Sequence, residues 1–523
     1  MVLIGINIHL FASAQSPDII LTNGKIFTSN AAQLYVQALA IKNNKILAVG
    51  NNHDIEKLAS SNTKKIDLEG KTVVPGFNDA HDHLGWLIPT THSIITTFSF
   101  IGLSKKELID TVSKLLKHLS SGQWVQVTIG LSVFNDTSIR RKLLDSLAPE
   151  NPLVLQNMWG HGMIVNSQVL RAIHVSDTDG DPLGGWYERK QGSSYLTGAL
   201  YEYAQFPVWE AITISDTTAL INALRSHANE ELALGITTVQ NMSGTMQGNA
   251  ARWFFIKANL PVRVRIVLMP ETTSQGDNLN EWGNNNIRLT TLTYISGVKY
   301  LIDGTSIEQT ALSTKPYPNR SKWYGRLDFS EDTIKQILKY ALTSNRQLMM
   351  HIAGDSSAKI VLNLMKQLAS AEVWKQKRVR IEHGVPINTK ALIYDVKNLG
   401  IIIAHTPQYG QSSPLRAWIN MGIPVAIGPD ALINPYLNIM FMTAQQSDSN
   451  QNISREQAVI AYTKGSAYAE FAEKYKGKLM PGMLADLAVL SQDIFTIPAP
   501  QLPATKSVLT MIDGKIVYQD AAP

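Results

Sequence analysis

At 523 residues the chain exceeds one typical domain, so a large domain accompanied by a smaller one is expected. Apolar residues make up 44% and charged residues 17%, and the formal charge of +5 is scattered with no basic run; this composition argues against extended disorder, and no nucleic-acid partner is expected. There is no cysteine, which rules out disulfides, thiolate catalysis and thiolate metal sites and leaves imidazole, carboxylate or modified amine as the available metal ligands.

The first residues, 2–11, are mostly apolar and run into Ala12-Ser13-Ala14-Gln15, a small-x-small pattern. They predict a secretory signal peptide over 1–15 and a periplasmic or secreted protein. An ordinary N-terminal strand and a cytoplasmic protein is the alternative. No other apolar run approaches the ~20 residues of a membrane span, so no membrane span is expected.

From Asp18 the runs DIILTNGKIFTSN, ALAIKNNKILAVG and KKIDLEGKTVVPG read as short strands joined by Asn-Gly or Asn-Asn hairpin turns. LADLAVLSQDIF and SVLTMIDGKIVYQ near the other end have the same character. Residues 17–73 and 479–523 are thus expected to build one β-sandwich from both chain ends. Between them, 74–478 alternates strand and helix patterns, as a parallel (β/α)₈ TIM barrel requires. The predicted barrel strands are 72–77, 235–240, 262–268, 297–302, 347–352, 379–383, 400–405 and 424–427. Amphipathic helices are predicted over 331–342 and 359–368, and Ser454-x-x-Gln457 is a capping box opening the helix after the last strand. The stretch from about 90 to 230 is too long for a barrel connection and is read as an inserted subdomain over the barrel mouth, with a helix carrying Leu108, Val112 and Leu115 and strands at 125–129 and 153–156.

Barrel enzymes react at the C-terminal ends of their strands. The first predicted strand leads into His81-Asp82-His83, whose imidazoles, two apart in an extended segment, point the same way. His351 and His383 end the fifth and sixth strands, and Asp430 follows the eighth, so four imidazoles and a carboxylate share one rim. Lys299 lies on the fourth strand, where an ammonium is costly to bury. Either it pairs with a carboxylate such as Asp303, or its amine has taken up CO₂ to give a metal-bridging carbamate. His405 ends the seventh strand as a pocket-lining or supporting residue. Asp82, Glu382 and Asp355 are candidates to orient ligands. His9, His53, His92, His118, His174 and His227 are read as surface or packing residues.

Taken together, PGFNDAHDH, WGHGMIVNS, GITTVQN, GVKYLIDGT, HIAGD, RVRIEHG, YTKGSAYAEF and KLMPGMLADLAVLSQDIF resemble the amidohydrolase superfamily, within it the formamide-deformylase-like branch (amidohydrolase family 3), from Asp18 to Tyr518. The resemblance implies one divalent metal on His81, His83 and Asp430, a second on His351 and His383, and a carboxylated Lys299 bridging them. It implies that Asp430 takes the proton of the attacking water and that His161 reaches over the site to the substrate carbonyl. Imidazole and oxygen ligands suit zinc without excluding manganese, iron, cobalt or nickel. Pro429 and Ser356 depart from residues common in that branch, and neither is a ligand.

The expected function is hydrolysis of a non-peptide C–N bond, in an N-substituted formamide or N-acyl compound, by a metal-activated hydroxide. The substrate would be a small-molecule amide held in a pocket to which Trp159, Trp186 and Tyr187 contribute; a homodimer is left open. A mononuclear deaminase or cyclic-amide hydrolase with unmodified Lys299 is the alternative. A catalytically silent binding protein ranks below it, and a polysaccharide-binding protein last.

Overall fold

The computed structural model describes residues 16–85, 93–94, 102–274, 276–277, 283, 285–318, 320–430 and 433–520. The expected leader, His9 and His92 lie outside the described residues.

Eight parallel strands form the barrel in sequential order: Phe77–Asp82, Ile236–Ser243, Arg263–Leu268, Thr293–Leu301, Gln347–His351, Arg380–His383, Ile402–His405 and Val425–Ile427. Each is buried along its whole length or nearly so, as strands covered on both faces must be. The helices that cover them follow the predicted periodicity. Glu331–Thr343 buries Ile334, Ile337, Leu338 and Ala341, and Asp355–Leu368 buries Val361, Leu362 and Met365. The Ser454/Gln457 capping box is present at the start of Arg455–Ile460.

Between the eighth and first strands the ring is drawn together at the rim, where the Asp430 N–H donates to the His81 carbonyl at 2.9 Å. Such an approach needs a glycine: a Cβ on Gly428 would lie 2.2 Å from the His81 Cβ.

The run predicted as one strand over 72–77 is divided. Thr72–Pro75 pairs with Lys25–Phe27 and with Leu487–Leu490 in the sandwich, and the chain then crosses at Gly76 into the barrel strand Phe77–Asp82. An apolar run carries no mark of the sheet to which it belongs. Gly76 makes the crossing against Thr237, whose Oγ1 would lie 2.2 Å from an added Cβ. Gly76→Ala is therefore expected to destabilise the protein by about 1–3 kcal/mol through overpacking, read as a lowered midpoint of chemical unfolding.

The sandwich draws on both chain ends. A four-stranded sheet (Lys45–Gly50, Ala38–Lys42, Ile19–Thr22, Lys64–Asp67) faces a six-stranded one that contains Leu487–Leu490, Ser507–Ile512 and Lys515–Gln519. Leu21, Leu39, Val73, Leu487 and Met511 fill the core between them. Hairpins form at Asn43-Asn44 and Asp513-Gly514, where Lys42 pairs with Lys45 and Ile512 with Lys515. The hairpin expected at Asn23-Gly24 does not form. There the chain passes from one sheet to the other, so that Leu21 and Ile26 enter the same core from opposite sides.

The insertion between the first two barrel strands carries its own six-stranded sheet, which includes Val125–Ile129, Leu153–Asn157, Gly162–Val165 and Leu196–Glu202. The helix Lys105–Leu116 packs Leu108 and Val112 against it, with Val127, Ile129, Leu155 and Ile164. Its loop at 158–161 reaches the barrel rim, where the His161 ring lies 4.6 Å from that of His351. No helix among the described residues is long and apolar enough to cross a membrane.

Candidate metal centre

His81, His83, Lys299, His351, His383 and Asp430 face one space. The rings follow one another around the rim: His83 lies 5.4 Å from His81, His81 4.9 Å from His383, and His383 4.9 Å from His351. His81, His383 and Asp430 each offer a donor atom within 4.8 Å of the other two. Asp430 Oδ1 lies 3.4 Å from His81 Nε2 and 3.2 Å from His83 Nε2. Two of these residues sit in left-handed backbone, His383 at φ 67° and Asp430 at φ 68°. Non-glycine residues rarely adopt that conformation, which is the kind of local strain that concentrates at functional sites.

Lys299 Nζ is buried 3.0 Å from His81 Nε2. Burial holds its ammonium below the ordinary lysine value, against the pull of Asp430 and Glu382 and with Arg380 adding to the depression. Asp303, the partner considered for it, is engaged elsewhere. It accepts from the amides of Leu312, Ala353 and Gly354 and from Ser357 Oγ, fixing the turn that follows His351.

Three of the rings are held by their far nitrogens. His81 Nδ1 is 2.5 Å from Glu382 Oε2, His383 Nδ1 is 2.9 Å from Thr406 Oγ1, and His161 Nδ1 is 2.8 Å from Glu202 Oε2. Protonating that nitrogen on His81 and His383 leaves the Nε2 lone pair of both rings free for the site. His351 differs. Its Nε2 faces the Gly304 carbonyl at 3.2 Å, which leaves Nδ1 as its donor. Glu382 is itself clamped by Arg380, through Nε at 2.9 Å and Nη2 at 2.8 Å, and Arg380 also donates to the Ala80 carbonyl and to Gln240.

Burial pushes the imidazoles towards neutrality, His81 to about 4 and His383 to about 3, and His351 well below the usual value. Burial opposes the charge on Asp430, but the histidines around it hold its carboxyl well below the carboxylate range. Neutral imidazoles beside an ionised carboxylate are the protonation states that a divalent ion requires. The donor set, the convergent lone pairs and the partnered far nitrogens fit a metal of the zinc–manganese class.

The remaining sequence candidates divide. Glu382 orients His81, as considered. His405 Nδ1 lies 3.3 Å from the His383 carbonyl, behind the rim, and its ring packs edge-on against Trp418. Asp355, in the first turn of the helix Asp355–Leu368, accepts from Thr314, so it orients no ligand. Asp82 faces away towards His227 and Glu231. Trp159 stands near the site, 5.6 Å from Tyr409, whose ring is 6.3 Å from His383. Trp186 instead stacks on Tyr201 at 4.7 Å, with the Arg326 guanidinium 4.2 Å from its ring, and Tyr187 is buried in the main core. The residues that sequence reasoning missed are the ring partners Thr406 and Glu202, and Glu308, which ties the 303–310 loop to Asn157 at 2.6 Å. Nothing in the local sequence marks them, because each meets its partner from another strand or loop.

Residues 64–518 match the amidohydrolase family. The chain is 26% identical to Protein LONG AFTER FAR-RED 3 of Arabidopsis thaliana, over 96% of this chain and 91% of that protein. It is 23% identical to the N-substituted formamide deformylase of Arthrobacter pascens, over 97% and 99%. Among solved structures, a metal-dependent hydrolase from Pyrococcus furiosus shares the fold at a TM-score of 0.68 and 22% identity, over 91% of this chain and 100% of that one.

Proposed function

The chain belongs to the amidohydrolase family, and from that premise we propose that it hydrolyses a non-peptide C–N bond, an N-substituted formamide or N-acyl amine, in a small molecule. The observation that carries this reading is the convergence of His81, His383 and Asp430 at the barrel rim, with His83, Lys299 and His351 against them. His81, His83 and Asp430 would hold one divalent ion and His351 and His383 a second, with Lys299 bridging as its carbamate; zinc suits the set. The metal, when bound, acts as a Lewis acid on the carbonyl and lowers the pKa of water towards neutrality.

The protein's own groups do the rest. Asp430, ionised at neutral pH, takes a proton from the attacking water and passes it to the leaving nitrogen as the C–N bond breaks, giving carboxylate (or formate) and amine. His161, on the insertion's loop, has Nδ1 2.8 Å from Glu202, whose carboxyl burial pushes well above the usual range; with Glu202 donating to Nδ1, His161 keeps Nε2–H to donate to the substrate oxygen. The aromatic pair Trp159 and Tyr409 supplies apolar surface beside His383. Similarity to the A. pascens deformylase supports formamides as the first substrate class to try.

One observation favours a second reading. His81, His383 and Asp430 form the three-donor group at the rim, while His351 Nε2 faces a carbonyl and Lys299 contacts His81 directly. A single-metal deaminase or cyclic-amide hydrolase with unmodified Lys299 would use that arrangement.

Purified protein assayed against N-substituted formamides, N-acyl amines and cyclic amides, before and after chelation, tests the proposal. Release of amine from the first two classes, abolished by chelation and restored by zinc or manganese, is expected. Turnover of cyclic amides or amino-purines alone would favour the second reading. Lys299→Ala should lose about one metal per chain if the lysine bridges two ions, and none if it does not.

A further inference from the structure

A second cluster of donors lies behind the strand that carries His81 and His83. Asp82, the last residue of Phe77–Asp82, faces the helix Thr217–Ala233, which presents His227 and Glu231 four residues apart and so on one face. His227 Nε2 is 3.6 Å from Asp82 Oδ2 and 3.5 Å from Glu231 Oε1, and the three donors lie within 4.8 Å of one another. Glu231 is fully buried, Asp82 nearly so, and the His227 side chain is 28% exposed.

These groups have no other occupation. Among the described residues, Asp82 Oδ2, His227 Nε2 and both carboxylate oxygens of Glu231 are buried with no partner outside the cluster, although Glu231 and Asp82 stand within hydrogen-bond reach of each other, and no lysine or arginine pairs with either carboxylate. Two carboxylates taken from water to one place cannot both stay ionised unless a cation joins them or one keeps a proton.

The spacing separates the two solutions. A shared proton needs only the two carboxylates and leaves the imidazole unexplained. Distances of 3.5 and 3.6 Å are long for hydrogen bonds from an imidazole. Ligand atoms about 2.1 Å from one ion at tetrahedral angles lie about 3.4 Å apart. One imidazole with two carboxylates, rather than an all-oxygen set, selects a first-row divalent ion over calcium or magnesium.

We propose that Asp82, His227 and Glu231 bind a structural divalent ion of the zinc or manganese type, separate from the rim site and back to back with it across one strand. The ion ties the strand end that presents His81 and His83 to the helix that leads into the second barrel strand. This site stands or falls independently of the rim.

The wild-type protein, stripped with EDTA, reloaded with Zn(II) and crystallised, tests it by anomalous diffraction at the zinc edge. The expected result is a peak within bonding distance of Asp82, His227 and Glu231, distinct from any at the rim. A rim peak with none here, or no peak at all, overturns the proposal. In parallel, Glu231→Gln and His227→Gln should each bind about one zinc fewer per chain than wild type and lose part of the zinc-induced rise in Tm. Folded variants, by far-UV circular dichroism, with undiminished zinc content would also overturn it. If the variants do not fold, the wild-type diffraction result decides alone.

Discussion

Asp430→Asn is expected to lower kcat/KM for the hydrolysed amide about 10³-fold, within the ~10²–10⁴ range of positioned acid–base groups. The substitution keeps the shape and the backbone bond to the His81 carbonyl but removes the charge that His83 Nε2 approaches at 3.2 Å and the basicity that moves the proton. KM should change far less than kcat, because the lost interaction belongs to the transition state. Steady-state kinetics with zinc content measured on the same preparations checks this. Activity within tenfold of wild type at equal metal content would remove Asp430 from the proton path.

The second large effect is expected at Glu382, which touches no substrate. Its carboxylate is fully buried between His81 Nδ1 and the Arg380 guanidinium. Burial opposes its charge, but Arg380 and His81 hold its carboxyl below the ordinary range. Glu382→Gln leaves Arg380 buried without its counter-charge, a change that costs about 3–5 kcal/mol in comparable buried pairs. It also removes the partner that fixes the His81 tautomer, so metal affinity should fall about 10–100-fold. Chemical unfolding and zinc titration read the two effects separately. A loss below about 1 kcal/mol with unchanged zinc affinity would mean that Arg380 finds another partner and that His81 needs no orientation.

What could be read in the chain beforehand follows from how local each signal is. The alternation of His81 and His83, the apolar runs ending at His351 and His383, and the Ser454/Gln457 box are carried by neighbours in sequence, and each holds in the structure. The division of 72–77 at Gly76 was not legible. Val73, Val74 and Phe77 are equally apolar whether they serve the sandwich or the barrel. The Asn23-Gly24 turn misled for a related reason, since hairpin chemistry marks a reversal only when the flanking strands have no better partners elsewhere. Ring partners were hidden because they are tertiary: Thr406 comes from beyond the seventh strand and Glu202 from the insertion. His227 reads in the sequence as a surface or packing residue, although His227 and Glu231 at helical spacing signal a shared face. Only the fold shows that Asp82 points at them.

The central claim, that the rim histidines and Asp430 hold a catalytic divalent metal, is met most directly by metal content per chain. Wild type and a His81→Ala/His383→Ala variant would be stripped, reloaded with zinc in parallel and analysed for bound metal. The difference between them reports the rim alone, whatever is bound behind the strand. A fall of at least about one zinc per chain in a variant that keeps its far-UV circular dichroism is the predicted result. Equal zinc in the two proteins, both folded, would contradict it and leave the rim histidines without the role assigned to them.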